Sequence, residues 1–125
     1  MYGHSHGGGS VFYVAERLNN NRTNLNSFTL DVSVYVDAIE NEGTWDSDPQ
    51  TNYPPSSEYL ANYYETNSAT DASVMYLHGV PIPGANINFN VNTTSWGRVL
   101  GHTTIDASTN IHWLVIDQIV TSIPQ

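Results

Sequence analysis

The sequence contains no cysteine. Disulfides, thiol nucleophiles and thiolate metal sites are thereby excluded, and the redox compartment stays open. It contains no lysine either. Arg17, Arg22 and Arg98 are the fixed cations against 12 acidic residues, and the formal net charge is -9. Such a charge repels phosphate backbones and anionic lipid, so no nucleic-acid partner is expected. Charged residues make up only 12 %, so Asn, Ser, Thr and Tyr must cover most of the surface. No apolar run reaches the roughly 20 residues that span a bilayer, so no membrane insertion is expected. The opening MYGHSHGGGS lacks the basic region and apolar core of a secretory signal. HSHGGGS also has the composition of a cloning remnant.

What is present suits one globular domain: 125 residues, 39 % hydrophobic and 11 % aromatic. Alternation is the main pattern. In Phe28–Asp37, Phe28, Leu30, Val32, Val34 and Val36 face one way, and Thr29, Asp31, Ser33, Tyr35 and Asp37 the other. That predicts a strand with one face in a core and one in water. Gly79–Val91 (GVPIPGANINFNV) opens with two prolines and two glycines, a stiff turn that sets the register of the alternating strand after it. Val11–Arg17, Val74–His78, Arg98–Ile105 and Ile111–Val120 read as further strands, the last apolar on both faces. A short helix is predicted from Ser57, with Leu60, Tyr63 and Tyr64 on one side. The polar, Tyr- and Pro-rich stretch at about 38–73 reads as an insertion.

GVPIPGANINFNV followed by GHTTIDASTNIHW resembles the bacterial immunoglobulin-like domains of adhesins, invasin-type surface proteins and phage virion proteins. Pro81, Pro83, Gly84, Ala85, Ile87, Phe89 and Val91 match the family's first turn and strand; Thr104, Asp106, Ala107 and Ile111 match the second. Asn110 stands where the family has glycine, and residues before Asn26 match nothing in it. The resemblance implies an all-β fold: an immunoglobulin-like antiparallel β-sandwich over 27–125 with a long polar insertion. Residues 1–26 are expected to form an extended N-terminal arm and connector.

Five candidate sites emerge. The arm residues Tyr2, His4, His6, Val11 and Phe12 are expected to make contacts between subunits. Trp45, Tyr53, Tyr59, Tyr63 and Tyr64 concentrate aromatics in the insertion, the chemistry of an adaptable partner or glycan surface. Asp46 and Asp48 alternate oxygens in a loop, which suits calcium, although the glycine and terminal glutamate of an EF-hand are missing. His4 with His6, and His78 with His102 and His112, are histidine sets whose bland reading is solvated or packed side chains. Asn86, Asn88, Asn90 and Asn92 form a row read as a solvated sheet face.

No catalytic residue is expected. Ser10 follows a glycine run, but neither a G-x-S-x-G nucleophile turn nor an H-E-x-x-H is expected in the chain, and Gly7-Gly8-Gly9, with no following helix or lysine expected, does not read as a phosphate loop. The expectation is a non-enzymatic structural subunit of a virion or extracellular filament, self-associating through its arm, with no cofactor beyond calcium. The alternative is an adhesin or lectin-like module of the cell surface that uses the aromatic insertion.

Overall fold

The computed structural model describes residues 1–25, 28–41 and 47–122. It overturns the all-β expectation. Among the described residues four strands form one sheet, each parallel to its neighbour: β1 (Tyr2–His4), β2 (Ser33–Val36), β3 (Leu60–Tyr64) and β4 (Ile87–Asn90), side by side in chain order. Helix α1 (His6–Asn20) connects β1 to β2, α2 (Arg22–Leu25) is one turn, and α3 (Thr109–Ser122) closes the described chain. This is an α/β layer arrangement, and no antiparallel sandwich forms among the described residues.

The physical reason lies in which faces are buried. Ser33, Val34, Tyr35 and Val36 are all buried. A strand covered on both faces belongs to a parallel sheet with helices above and below. Val32, Val34, Val36, Ala61, Tyr63 and Val91 pack with Ile111 and Val115 of α3 on one face. Tyr35, Leu60 and Ile82 pack with Val11 and partly buried Phe12 of α1 on the other. The alternation across 32–36 is therefore real, but its second face meets α1 and not water.

The expected N-terminal arm is part of the core instead. Tyr2, Gly3 and His4 pair with Val34, Tyr35 and Val36, and Val11 and Ala15 are buried. Gly8, Val11 and Ala15, spaced three and four apart, make the helical stripe that turns α1 onto the sheet. The predicted last strand, Ile111–Val120, lies in α3, where Ile111 and Val115 recur at helical spacing. The predicted helix from Ser57 gives way to β3, and the segments 74–78 and 98–105 form turns.

The Pro-Gly turn is present. Gly84 has φ of 82°, and the Ala85 N–H closes it on the Ile82 carbonyl at 3.2 Å. The asparagine row is not a passive wet face. Asn86 Oδ1 accepts from Leu60 N–H, Asn88 Oδ1 accepts from Ile82 N–H and Asn62 Nδ2, and Asn92 Oδ1 accepts from Thr66 N–H. These amides tie β4 and its flanking turns to β3.

Candidate active site

Chain direction is the same in all four strands, so their carboxyl ends share one edge of the sheet. Ligand sites in open α/β sheets form at that edge. Ser5 follows β1 directly and is the residue before α1; Asp37 follows β2 and Glu65 follows β3. His102 lies in the connection between β4 and α3.

Ser5 sits at φ 55°, ψ -133°, a conformation that costs a non-glycine residue on the order of 1–3 kcal/mol. The sharp turn from strand to helix demands it. Gly3 must be glycine because a Cβ there would run into the Gly7 carbonyl, and one on Gly8 would run into Ala38. A serine before a helix normally turns its hydroxyl onto the first turn as a cap, a stabilisation of about 1 kcal/mol. Ser5 makes no such bond. Its Oγ lies 2.8 Å from His102 Nε2.

His102 Nδ1 lies 2.6 Å from Asp37 Oδ2, with the two side chains 5 % and 0 % exposed. A carboxylate there can only accept, so Nδ1 carries the proton and Nε2 is left to accept from the Ser5 hydroxyl. Asp37 Oδ1 is saturated separately by the N–H groups of Glu65, at 3.0 Å, and Gly79, at 2.5 Å. Gly79 allows that approach, since a Cβ on it would stand 2.8 Å from Tyr64 Cβ. Asp37 also has a positive φ, 48°.

The backbone of His102 is clamped from both sides. Its N–H donates to Ser68 Oγ at 2.9 Å, and its carbonyl accepts from His4 Nε2 at 3.0 Å. His4 Nδ1 stands 3.5 Å from Asp106 Oδ2. Ser68 N–H in turn donates to Glu65 Oε2 at 2.9 Å. Burial and then the Asp37 charge raise the Glu65 carboxyl above its ordinary value, while hydrogen bonds from Ser68 and Asn67 pull the other way and do not prevail.

Of the residues singled out from sequence, His102 lies in this cluster and His4 beside it, and the rest fall elsewhere. His4 is drawn to His102, their rings 5.2 Å apart, and Tyr2 is on β1, half exposed. His6 begins α1; Val11 and Phe12 pack inside. Tyr63 is buried, its phenol pushed up to about 12 by burial first and by Tyr59 and Asp117. Tyr59 packs against the α3 core, and Tyr53 packs beside Leu60 and Ile82 while donating to Asn86 Oδ1. Tyr64 is half-buried at the end of β3. These tyrosines form no common platform. Trp45 and Asp46 lie outside the described residues. Asp48 is exposed and its carbonyl accepts from Glu40 N–H. Among the described residues no group of three or more His, Asp or Glu side chains is arranged to hold a metal ion. His78 and His112 bond to the Gly79 and Asp106 carbonyls and do not converge with His102.

The residues of this cluster were legible in part. Gly3-His4-Ser5-His6-Gly7 is a G-x-S-x-G pentapeptide, which corrects the expectation that the chain holds none. Its signal was masked because HSHGGGS has the look of a tag. A groove of about 580 Å³ between β4 and α3, lined by Phe89, Trp96, Trp113 and Val120, includes none of these residues. Comparison with protein-family models, with curated proteins and with solved structures finds no match.

Proposed function

We propose that the chain carries a serine-hydrolase active site, with Ser5 as nucleophile, His102 as general base and Asp37 as the carboxylate that orients and stabilises it. The observation that carries this reading is the continuous relay Ser5 Oγ–His102 Nε2, 2.8 Å, and His102 Nδ1–Asp37 Oδ2, 2.6 Å, starting from a serine held in a strained strand-to-helix turn. Hydrogen-bonded nucleophile, base and orienting group are the recurrent parts of acyl-transfer catalysis. The order Ser, Asp, His and the elbow around Ser5 are those of α/β-hydrolases, which is an analogy of arrangement.

The proposed reaction runs as acyl transfer through Ser5. Ser5 Oγ attacks an acyl carbon as His102 Nε2 takes its proton, and Asp37 stabilises the imidazolium. The oxyanion develops beside the amino end of α1, where the dipole and the first backbone N–H groups of the helix favour negative charge. His102 then returns the proton to the leaving group. In the second half it draws a proton from water, whose oxygen attacks the acyl-serine and frees Ser5. Esters, thioesters and activated amides are the substrate class.

The expectation of a non-enzymatic assembly subunit has less support, because Val11 and Phe12 of its assembly arm pack against the sheet. The adhesin alternative needs an aromatic platform, and Tyr63 is buried in the core.

The test is covalent labelling with a fluorophosphonate probe, read by intact mass and peptide mapping, beside hydrolysis of short p-nitrophenyl esters. One adduct on Ser5 is expected, lost in Ser5→Ala and slowed strongly in His102→Ala. Absence of a Ser5 adduct on the folded chain would sink the reading, as would equal labelling in His102→Ala.

A further inference from the structure

Glu65 is wholly buried, and no step of the proposed reaction uses it. It occupies the same place on β3 that Asp37 occupies on β2, the first residue beyond the strand. Two acids at adjacent strand ends beside one histidine call for a division of labour. Asp37 takes the His102 imidazole. The Glu65 carboxyl faces a different group: Oε2 accepts from the Ser68 N–H, while Oε1 is buried with no hydrogen-bond partner. Ser68 opens its hydroxyl to the His102 N–H at 2.9 Å. Gly101 lets this happen, since a Cβ on it would stand 2.9 Å from Ser68 Oγ.

We propose that Glu65 is a positioning residue for His102, acting through Ser68 to fix the depth at which the imidazole reaches Ser5 and Asp37. The proposal rests on the hydrolase reading of Ser5, His102 and Asp37.

Three observations support it. Both acids touch one another's neighbourhood, since Glu65 donates its own N–H to Asp37 Oδ1. The Asp37 charge disfavours a second charge on the Glu65 carboxyl. An unpartnered, buried carboxylate oxygen disfavours charge on Glu65, whereas Asp37 has partners on both oxygens. The burial that raises the Glu65 carboxyl acts in the same sense. Asp37 is engaged with His102 Nδ1, and the Glu65 carboxyl is left as a hydrogen-bonding strut for the Asn67–Thr70 turn.

The experiment compares wild type with Glu65→Gln, Glu65→Ala and Ser68→Ala. Two readouts are taken: the rate of fluorophosphonate labelling at Ser5, and the far-downfield proton resonance of the short His102 Nδ1–H bond to Asp37. The resonance needs no turnover, so it reports on positioning even where labelling of wild type fails and the hydrolase reading falls. Glu65→Gln is expected to rescue both, staying within about threefold of the wild-type rate. Glu65→Ala and Ser68→Ala are expected to lose or broaden the resonance and to slow labelling about tenfold to a hundredfold, the scale of a small misplacement of a catalytic group. Should Glu65→Ala fail to fold, Ser68→Ala decides, because it removes only one hydroxyl. The proposal is overturned if Ser68→Ala, or folded Glu65→Ala, keeps the resonance and a rate within twofold of wild type. It is overturned equally if Glu65→Gln falls as far as Glu65→Ala.

Discussion

Ser5 and Asp37 both hold a positive φ, 55° and 48°, and each is the first residue past one of two adjacent parallel strands. Neither is glycine. The Ser5 N–H donates to the carbonyl of Val36, the residue before Asp37, at 3.1 Å, so the two turns are fastened together. Two neighbouring strand ends with positive φ thus converge on one histidine.

Substituting Asp37→Asn is expected to leave the fold intact and to slow phosphonate labelling of Ser5 by about a thousandfold. An amide would offer an N–H toward His102 Nδ1 and favour the wrong tautomer. Labelling kinetics beside a far-ultraviolet dichroism spectrum distinguish this from unfolding; a rate near wild type would contradict the role of Asp37.

Relief of strain at Ser5 has a measurable signature. Ser5→Gly is expected to be more stable than Ser5→Ala by about 1 kcal/mol, because glycine adopts φ 55° without penalty while alanine keeps it. Both variants lose the nucleophile, so urea denaturation compares backbone strain alone.

The glycines of the run are not equivalent. A Cβ on Gly8 would collide with Ala38, whereas one on Gly7 would meet nothing within 4 Å. Gly8→Ala is therefore expected to destabilise the chain by about 1–3 kcal/mol. Gly7→Ala is expected to be neutral or to stabilise it by about 0.5 kcal/mol, through helix propensity. Denaturation midpoints in urea check the contrast.

The Glu65 carboxyl is raised in the folded chain above its ordinary value of 4.5. An acid shifted this way adds stability that is complete below pH 4.5 and is lost as pH rises through the folded value. Glu65→Gln removes that loss. Its urea midpoint should exceed that of wild type at pH 8 and match it at pH 4; a difference of the same size at both values would show that Glu65 does not titrate in this way.

Residue patterns disclosed some of this fold and hid the rest for identifiable reasons. The alternation in 32–36 and the Pro83-Gly84 turn were readable, because strand period and turn chemistry are local. The direction of the strands was not, since parallel pairing depends on what α1 and α3 cover. Ile111, Val115, Ile116 and Val120 favour strands by propensity, yet Ile111, Val115 and Ile119 keep a spacing of four, the cue for a helix. Of the site, the pentapeptide around Ser5 was explicit in the residues. His102 carried no local mark, since its partners lie 97 and 65 positions away. Glu65 was indistinguishable from any acid after a strand until its burial was known.

Those separations have a consequence for how the molecule acquires reactivity. A contact between residues 5 and 102 closes most of the chain into one loop, and His102 lies in the connection that follows β4. Ser5 is an ordinary hydroxyl until the last connection arrives with its imidazole. On the proposed hydrolase reading, the nucleophile would act as a proofreader of its own folding: a partly assembled or locally opened chain would be inert, and phosphonate reactivity would count finished molecules only.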